Sequence, residues 1–182
     1  TATAGTDKMT NYVTVGANRV YAKVDGELSY QAWIDALRRG RTFVSNSPLL
    51  SFTVNGREAG ETLELKQGKA CVVSIQASAE SQLPYHKLEI VVNGQTVADS
   101  TPDGRNHRAR IHLERPLEGS CWIAARVVED LRPYRERGVA FSKVHAAGGT
   151  LLGNYFGTRR PETVFAHSSP CYVILDGKPI RS

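Results

Sequence analysis

The chain has 182 residues, of which 41% are hydrophobic and 23% charged, with a formal net charge of +5 and a mean hydropathy of -0.32. These values exclude a disordered chain, a collagen-like chain and a disulfide-rich miniprotein. No apolar run approaches the roughly 18 residues that a membrane helix needs. We therefore expect a globular fold of ordinary domain size with its own core.

Residues 28–40 carry the apolar spacing of one amphipathic helix. Ser29 can cap its start, because a serine hydroxyl accepts from the first free backbone N–H groups. Gly40 fits the left-handed position that closes a helix. The residues at i, i+3, i+4 and i+7 spacing on one face are Tyr30, Trp33, Ile34 and Leu37.

The rest of the chain reads as short strands separated by turn residues. Asn93-Gly94 is a favoured two-residue turn and predicts the clearest hairpin, and Asn55-Gly56 and Asp176-Gly177 give further turns. This rhythm predicts a two-sheet antiparallel sandwich. The predicted strands are 18–24, 50–55, 61–65, 70–77, 87–92, 95–98, 108–113, 120–128 and 171–175.

Residues 131–162 interrupt the strand pattern with a glycine-rich, basic segment that carries +4 of the net charge. Loops of this length are usually functional or covered by a partner. One interpretation is an anion-binding flap, since guanidinium groups suit phosphate or carboxylate; the other is a solvated insertion with paired charges. Because the basicity is local and not spread over the whole domain, we expect no nucleic-acid binding. The candidate anion or substrate contacts are Arg132, Arg135, Arg137, Arg159, Arg160 and His167.

The cysteines and histidines show no metal-ligand spacing. Cys71, Cys121 and Cys171 form no CxxC pair; Cys71 and Cys121 could bridge two sheets, or all three could be buried apolar side chains. His167 could contact a neighbouring site or satisfy a buried hydrogen bond. The other histidines are His86, His107, His112 and His145.

The chain begins TATAGTD and contains one methionine, Met9. We expect it to be a fragment or a processed product of a longer protein. The triplet Gly5-Thr6-Asp7 stands before a predicted strand, where a carboxylate can serve as a metal ligand or simply as a turn residue.

Residues 18–56, which read NRVYAKVDGELSYQAWIDALRRGRTFVSNSPLLSFTVNG, resemble the tail of the PHP-type metallohydrolases. The likeness is strongest to their carbaryl-hydrolase-like (CehA/McbA) branch, and RRGRTFVSNSPLL is its most specific part. Residues 165–180, FAHSSPCYVILDGKPI, resemble the end of the same proteins.

The resemblance implies a parent enzyme with a β/α barrel that holds divalent metal ions such as Zn, Mn or Fe. Such a parent would hydrolyse phosphoester, carbamate or related ester bonds with a metal-activated water. Asp7 matches the family's late Gly-Ser/Thr-Asp motif and is the one metal ligand that the resemblance carries over. Lys8 and Met9 depart from the residues that follow in that motif.

On this interpretation the fold is mainly β: an immunoglobulin-like antiparallel β-sandwich preceded by a short β/α segment with one amphipathic helix. Residues 1–47 are the end of the barrel, and residues 48–182 are the sandwich with the insertion at 131–162. The apolar helix face then needs another surface to cover it, because leaving such side chains in water costs several kcal/mol.

The chain is therefore expected to be a non-catalytic accessory module, with no catalytic residue of its own, whose partner is the N-terminal barrel of the same polypeptide. The module would support that barrel or the substrate entrance. An alternative is a stand-alone module that binds carbohydrate or protein, and a third is a homo-oligomer made through exposed edge strands. The sandwich architecture favours a secreted or periplasmic parent.

Overall fold

In the part of the chain that the structure describes, two β-sheets form the fold, and one short helix lies between the first and second strands. The structure, a computed structural model, describes residues 1–6, 15–66, 71–105, 107–128 and 164–180. The prediction of a mainly β fold with antiparallel sheets and an amphipathic helix is confirmed. The segment 131–162 lies outside the described residues.

The helix forms as its sequence predicts. It runs over Tyr30–Arg38, and the Ser29 hydroxyl accepts a hydrogen bond from the Ala32 N–H at 3.1 Å. Gly40 ends it with a φ of 71°, in the left-handed region that glycine enters without cost. We call this helix α1.

Twelve strands are present among the described residues, and nine of them match predicted strands closely. The predicted hairpin at Asn93-Gly94 is confirmed. In chain order the strands are β1 (Arg19–Ala22), β2 (Thr42–Ser45), β3 (Leu49–Val54), β4 (Arg57–Glu58), β5 (Thr62–Leu65), β6 (Val72–Glu80), β7 (Lys87–Val92), β8 (Gln95–Ser100), β9 (Arg108–Pro116), β10 (Cys121–Val128), β11 (Ala166–Ser168) and β12 (Cys171–Leu175).

The smaller sheet has the order β4-β3-β6-β9, all antiparallel. In the larger sheet β7 and β8 lie on one side of β10, and β11 and β12 lie on the other. Beyond β11 the sheet continues through β2 to β1, and beyond β12 it ends at β5. The larger sheet therefore divides into two branches on this side.

The division follows from a bend in the chain at Ser169-Pro170. The residues before it pair antiparallel with β2, and those after it pair with β5. The β12–β5 pair is parallel, which differs from the purely antiparallel arrangement that the sequence predicted. The reason is that β5 and β12 come from distant parts of the chain and are not joined by a hairpin.

The core lies between the two sheets, where alternate side chains of facing strands meet. Val73, Ile75, Ala77 and Ala79 of β6 face inward, and the residues between them face solvent. The fully buried large side chains from both sheets include Val54, Val73, Ile75, Leu88, Ile90, Ile123 and Val173.

Three short strands were not predicted: β2, β4 and β11. β2 lies before the predicted domain boundary at 47/48 and β11 lies after it, and the two strands are hydrogen bonded to each other. Residues 42–45 therefore share a sheet with the sandwich strands. The assignment of 1–47 to the end of a barrel stays a prediction.

No helix of the described part of the chain is both long enough and apolar enough to span a membrane.

Candidate functional site

Most of the predicted site residues lie outside the described residues. This holds for the candidate metal ligand Asp7 and for the five arginines of the basic segment, Arg132, Arg135, Arg137, Arg159 and Arg160. Their proposed roles stay predictions.

His167 is described, and it lies in the middle of β11. Its backbone stands between Val44 of β2 and Arg126 of β10. The half-buried ring places Nδ1 2.7 Å from the carbonyl oxygen of Ser168, so Nδ1–H donates a hydrogen bond to its own strand. The other ring nitrogen has no hydrogen bond among the described residues, and a ligand contact by His167 stays a prediction.

The described residues contain no group of three His, Cys, Asp or Glu side chains that could hold a metal ion. The three cysteines are free thiols, so the bridge between Cys71 and Cys121 is absent. Cys121 and Cys171 are buried, and burial raises the pKa of both thiols, that of Cys171 to about 12. They act as small apolar side chains of the core.

A buried polar cluster occupies the point where the larger sheet divides. The Thr42 and Ser169 hydroxyl oxygens are 2.8 Å apart, and both side chains are almost completely buried. The Ala2 N–H donates to Ser169 Oγ at 2.8 Å, and Thr42 Oγ1 donates to the Ala2 carbonyl at 2.7 Å. The cluster therefore fixes the N-terminal residues to the end of β11.

Ser45 and Asn46 of RRGRTFVSNSPLL also bind the backbone. Ser45 Oγ donates to the Pro48 carbonyl at 2.6 Å. Asn46 Oδ1 accepts from the Phe165 N–H at 3.0 Å. The block that carries the family resemblance thus builds the corner between β2, β3 and β11.

A groove runs along one side of the sandwich, between the edge strand β1 and the part of β3 that β4 does not cover. We call it the β1/β3 groove. Three adjoining cavities of about 370, 330 and 340 Å³ form it, and Tyr21 lines all three. Together they follow β3 from Leu49 to Thr53 and β1 with its continuation from Arg19 to Lys23.

An aromatic pair forms one wall of the β1/β3 groove. Tyr21 and Phe43 are direct neighbours across β1 and β2, and their rings stack with centroids 4.6 Å apart and planes within 6°. Leu50 and Phe52 line the opposite side and are only 8% and 6% exposed. The groove is therefore apolar in its middle.

Positively and negatively charged side chains, paired with one another, close one end of the groove. Arg41 donates two hydrogen bonds to Asp25 and lies 3.6 Å from a Glu58 oxygen, and Lys23 pairs with the same glutamate. The bond from Arg41 holds the pKa of the Asp25 carboxyl below its usual value and raises that of Arg41. Because these charges are balanced, this end does not select for a charged ligand.

In comparisons with known proteins, no family model, curated protein or solved structure matches the chain.

The apolar side of α1 is the second surface without a cover among the described residues. Leu28 and Tyr30 are 75% and 78% exposed, while Trp33 and Leu37 are half-buried. The Tyr30 and Trp33 rings lie 6.4 Å apart, and Leu28 precedes Tyr30 by two residues. We call Leu28, Tyr30 and Trp33 the α1 patch.

Sequence reasoning found the α1 patch but missed the β1/β3 groove. Tyr21 and Phe43 are separated by more than twenty residues that include α1, so neither strand alone indicates the pair. The alternation of NRVYAKV does place Arg19, Tyr21 and Lys23 on one face of a strand. This alternation is the sequence signal that could have indicated the groove.

Proposed function

We propose that the chain is a non-catalytic accessory module of a metal-dependent hydrolase, which supports a PHP-type barrel or shapes the entrance to its active site. The parent would cleave phosphoester, carbamate or related ester bonds with Zn, Mn or Fe. The proposal starts from the resemblance of residues 18–56 and 165–180 to that family.

The observation that carries the proposal is the α1 patch. Leu28 and Tyr30 are exposed and Trp33 is only half-buried, so this end of the helix lacks part of the burial that stabilises most protein helices. Leu28, Tyr30 and Trp33 would regain that burial against a neighbouring domain. Large exposed apolar patches commonly mark such contacts, and the proposal assigns the contact to the barrel of the same polypeptide.

The corner built by RRGRTFVSNSPLL supports the same proposal. Its Thr42, Ser45 and Asn46 side chains bind the backbone of Ala2 and of Pro48 and Phe165, the residues that directly precede β3 and β11. In this role the block fixes the corner that follows α1 to the sandwich, as a supporting module requires. A residue that is committed to backbone hydrogen bonds in this way is not available for catalysis.

A hydrolysis assay tests the non-catalytic part of the proposal. The chain is incubated with Mn²⁺ or Zn²⁺ and with p-nitrophenyl phosphate or a naphthyl N-methylcarbamate. We expect no turnover above the same metal in buffer. Sustained turnover that EDTA abolishes and added metal restores would contradict the proposal.

The coding sequence tests the link to a barrel. We expect the reading frame to continue upstream of Thr1 into alternating strands and helices that carry an HxH motif and further His, Asp and Glu residues. An initiation codon directly before Thr1 would mean that the reading frame encodes no upstream barrel, and it would contradict this function.

The β1/β3 groove favours a second candidate, the stand-alone binding module. Its aromatic wall and its volume suit a small ligand. A glycan array separates the two candidates, because a purely supporting module gives no saturable binding to any sugar.

A further inference from the structure

The pairing register shows which backbone groups of β3 point away from its neighbour β6. The Asn55 N–H donates to the Ser74 carbonyl at 2.8 Å, and these two residues stand opposite each other at the end of the β3–β6 pair. In an antiparallel pair, hydrogen-bonded and non-hydrogen-bonded positions alternate. Leu49, Ser51 and Thr53 therefore bond to β6, and Leu50 and Phe52 direct their N–H and C=O groups to the other side.

On that other side the strand is only partly covered. β4 pairs with Thr53 and Val54 and then turns away. No strand among the described residues pairs with Leu50 or Phe52 on this side, so the Leu50 N–H, the Leu50 C=O and the Phe52 N–H have no sheet partner there. These groups belong to residues that are 8% and 6% exposed, and backbone groups of buried residues are nearly always paired.

The unpaired groups lie along the β1/β3 groove. Leu50 lines two of its cavities, and Phe52 lines the largest. From Leu49 to Thr53 the groove follows five residues of strand, which corresponds to about 17 Å. A space of this length beside a row of backbone donors and acceptors matches an extended peptide.

We propose that the β1/β3 groove binds an extended segment of a partner polypeptide, which adds a short strand to the open edge of β3 beside β4. The peptide backbone would bond to Leu50 and Phe52, and one of its apolar side chains would pack on the stacked rings of Tyr21 and Phe43. This is recognition by strand addition, in which main-chain bonds give affinity and side-chain pockets give specificity.

The two ends of the groove differ in charge. At one end Arg41 and Lys23 are neutralised by Asp25 and Glu58. At the other end Glu80 is paired with Arg108 at 2.6 Å, and Arg19 and Arg110, which also line the cavities there, have no carboxylate partner among the described residues. The uncovered backbone groups of Leu50 and Phe52 lie between these ends and suit the main chain of a peptide.

The first test uses a phage-display library of random heptapeptides on the immobilised chain, with albumin as the blank. We expect enriched peptides with alternating apolar residues. A synthetic copy should slow amide hydrogen exchange of Leu50 and Phe52 in the complex by at least about tenfold, since each of these N–H groups would gain one strand hydrogen bond. The same peptide with alternate backbone nitrogens methylated should bind at least about tenfold more weakly.

Variants of the chain give the second test. Tyr21→Ala removes the ring that lines all three cavities and should weaken peptide binding severalfold. Val20→Ala, on the same strand and with its side chain on the opposite face, is the matched control and should leave binding unchanged. If Tyr21→Ala unfolds the chain, the test of the proposal is the comparison of the methylated and unmethylated peptides, both bound to the unaltered chain.

The proposal is overturned if no peptide is enriched over the albumin blank, or if bound peptides protect amides elsewhere and not Leu50 or Phe52. It is also overturned if both amides are already protected in the free chain, because the edge would then be paired. None of these results bears on the hydrolase module, which depends on the α1 patch and not on this groove.

Discussion

The hydroxyl groups of Thr42 and Ser169 form a hydrogen bond of 2.8 Å although they are 127 residues apart in the chain. Thr42 begins β2, and Ser169 follows β11 at the bend where the larger sheet divides. Each also binds the backbone of Ala2. A buried polar group is costly unless all its partners are present, so this cluster fixes the geometry of the branch point.

Replacing Ser169 with alanine should lower the free energy of unfolding by about 1–3 kcal/mol, because the Ala2 N–H and the Thr42 hydroxyl lose a buried partner. Urea denaturation measures the change. Ser78→Ala is the control, since Ser78 lies on the outer face of β6 and has no side-chain hydrogen bond among the described residues. Equal losses in the two variants would contradict the importance of the cluster.

Gly60 should not tolerate alanine. It has a φ of 85°, and a Cβ there would lie 2.6 Å from the Gly40 carbonyl oxygen and closer still to that of Arg39. We expect Gly60→Ala to cost at least about 3 kcal/mol of unfolding free energy, from backbone strain and the collision together.

Gly94 is the matched control for this prediction. It has the same φ of 85°, but a Cβ there meets nothing within 4 Å. Gly94→Ala should therefore cost only the strain of the left-handed backbone, about 1 kcal/mol. If both variants lose the same amount, the close approach between Gly40 and Gly60 is not a constraint.

Thiol labelling should distinguish the three cysteines. Burial raises the pKa of Cys121 and Cys171, so both stay protonated at pH 8, and Cys71 is partly exposed. Because the thiolate is the reactive form, Ellman's reagent should label one thiol in the native chain and all three after unfolding. Cys71→Ser should abolish native labelling, and rapid labelling of that variant would contradict the burial of the other two.

Stability should fall as the pH rises from about 9 to about 12. The pKa of Cys171 goes from its model-compound value of 9.0 to about 12 in the fold, and that of Tyr85 from 10.0 to about 12, both chiefly through burial. In this window the unfolded chain releases protons that the native chain retains, so the unfolding free energy has a negative slope with pH.

Urea midpoints measured across this range check the slope. Cys171→Ala should make it shallower between about pH 9 and 12. Ser78→Ala, which removes no titrating group, should leave the slope unchanged. A stability that stays flat or rises over this range would contradict the burial of Cys171 and Tyr85.

The elements that the sequence predicted well are those that depend on local patterns. α1 follows from its apolar spacing and its Ser29 cap, and the β7–β8 hairpin follows from Asn93-Gly94. The missed strands β2 and β11 are only four and three residues long and pair across more than a hundred residues. Neither has a local turn that would indicate its partner.

The candidate sites divide in the same way. The α1 patch depends on Tyr30 and Trp33, which stand three residues apart on one helix face, and a sequence displays that spacing directly. The β1/β3 groove depends on which backbone groups of β3 remain unpaired after β4 turns away. That property arises only when the strands are assembled, and no residue type encodes it.

Side-chain oxidation by hydroxyl radicals tests the central claim, that a barrel domain of the same polypeptide covers the α1 patch. The isolated chain and the complete gene product are oxidised in parallel, and Tyr30 is compared with Tyr172, an exposed tyrosine on β12. We expect Tyr30 to react severalfold more slowly in the complete product while Tyr172 reacts at the same rate in both. Equal oxidation of Tyr30 in the two samples would contradict the accessory-module proposal.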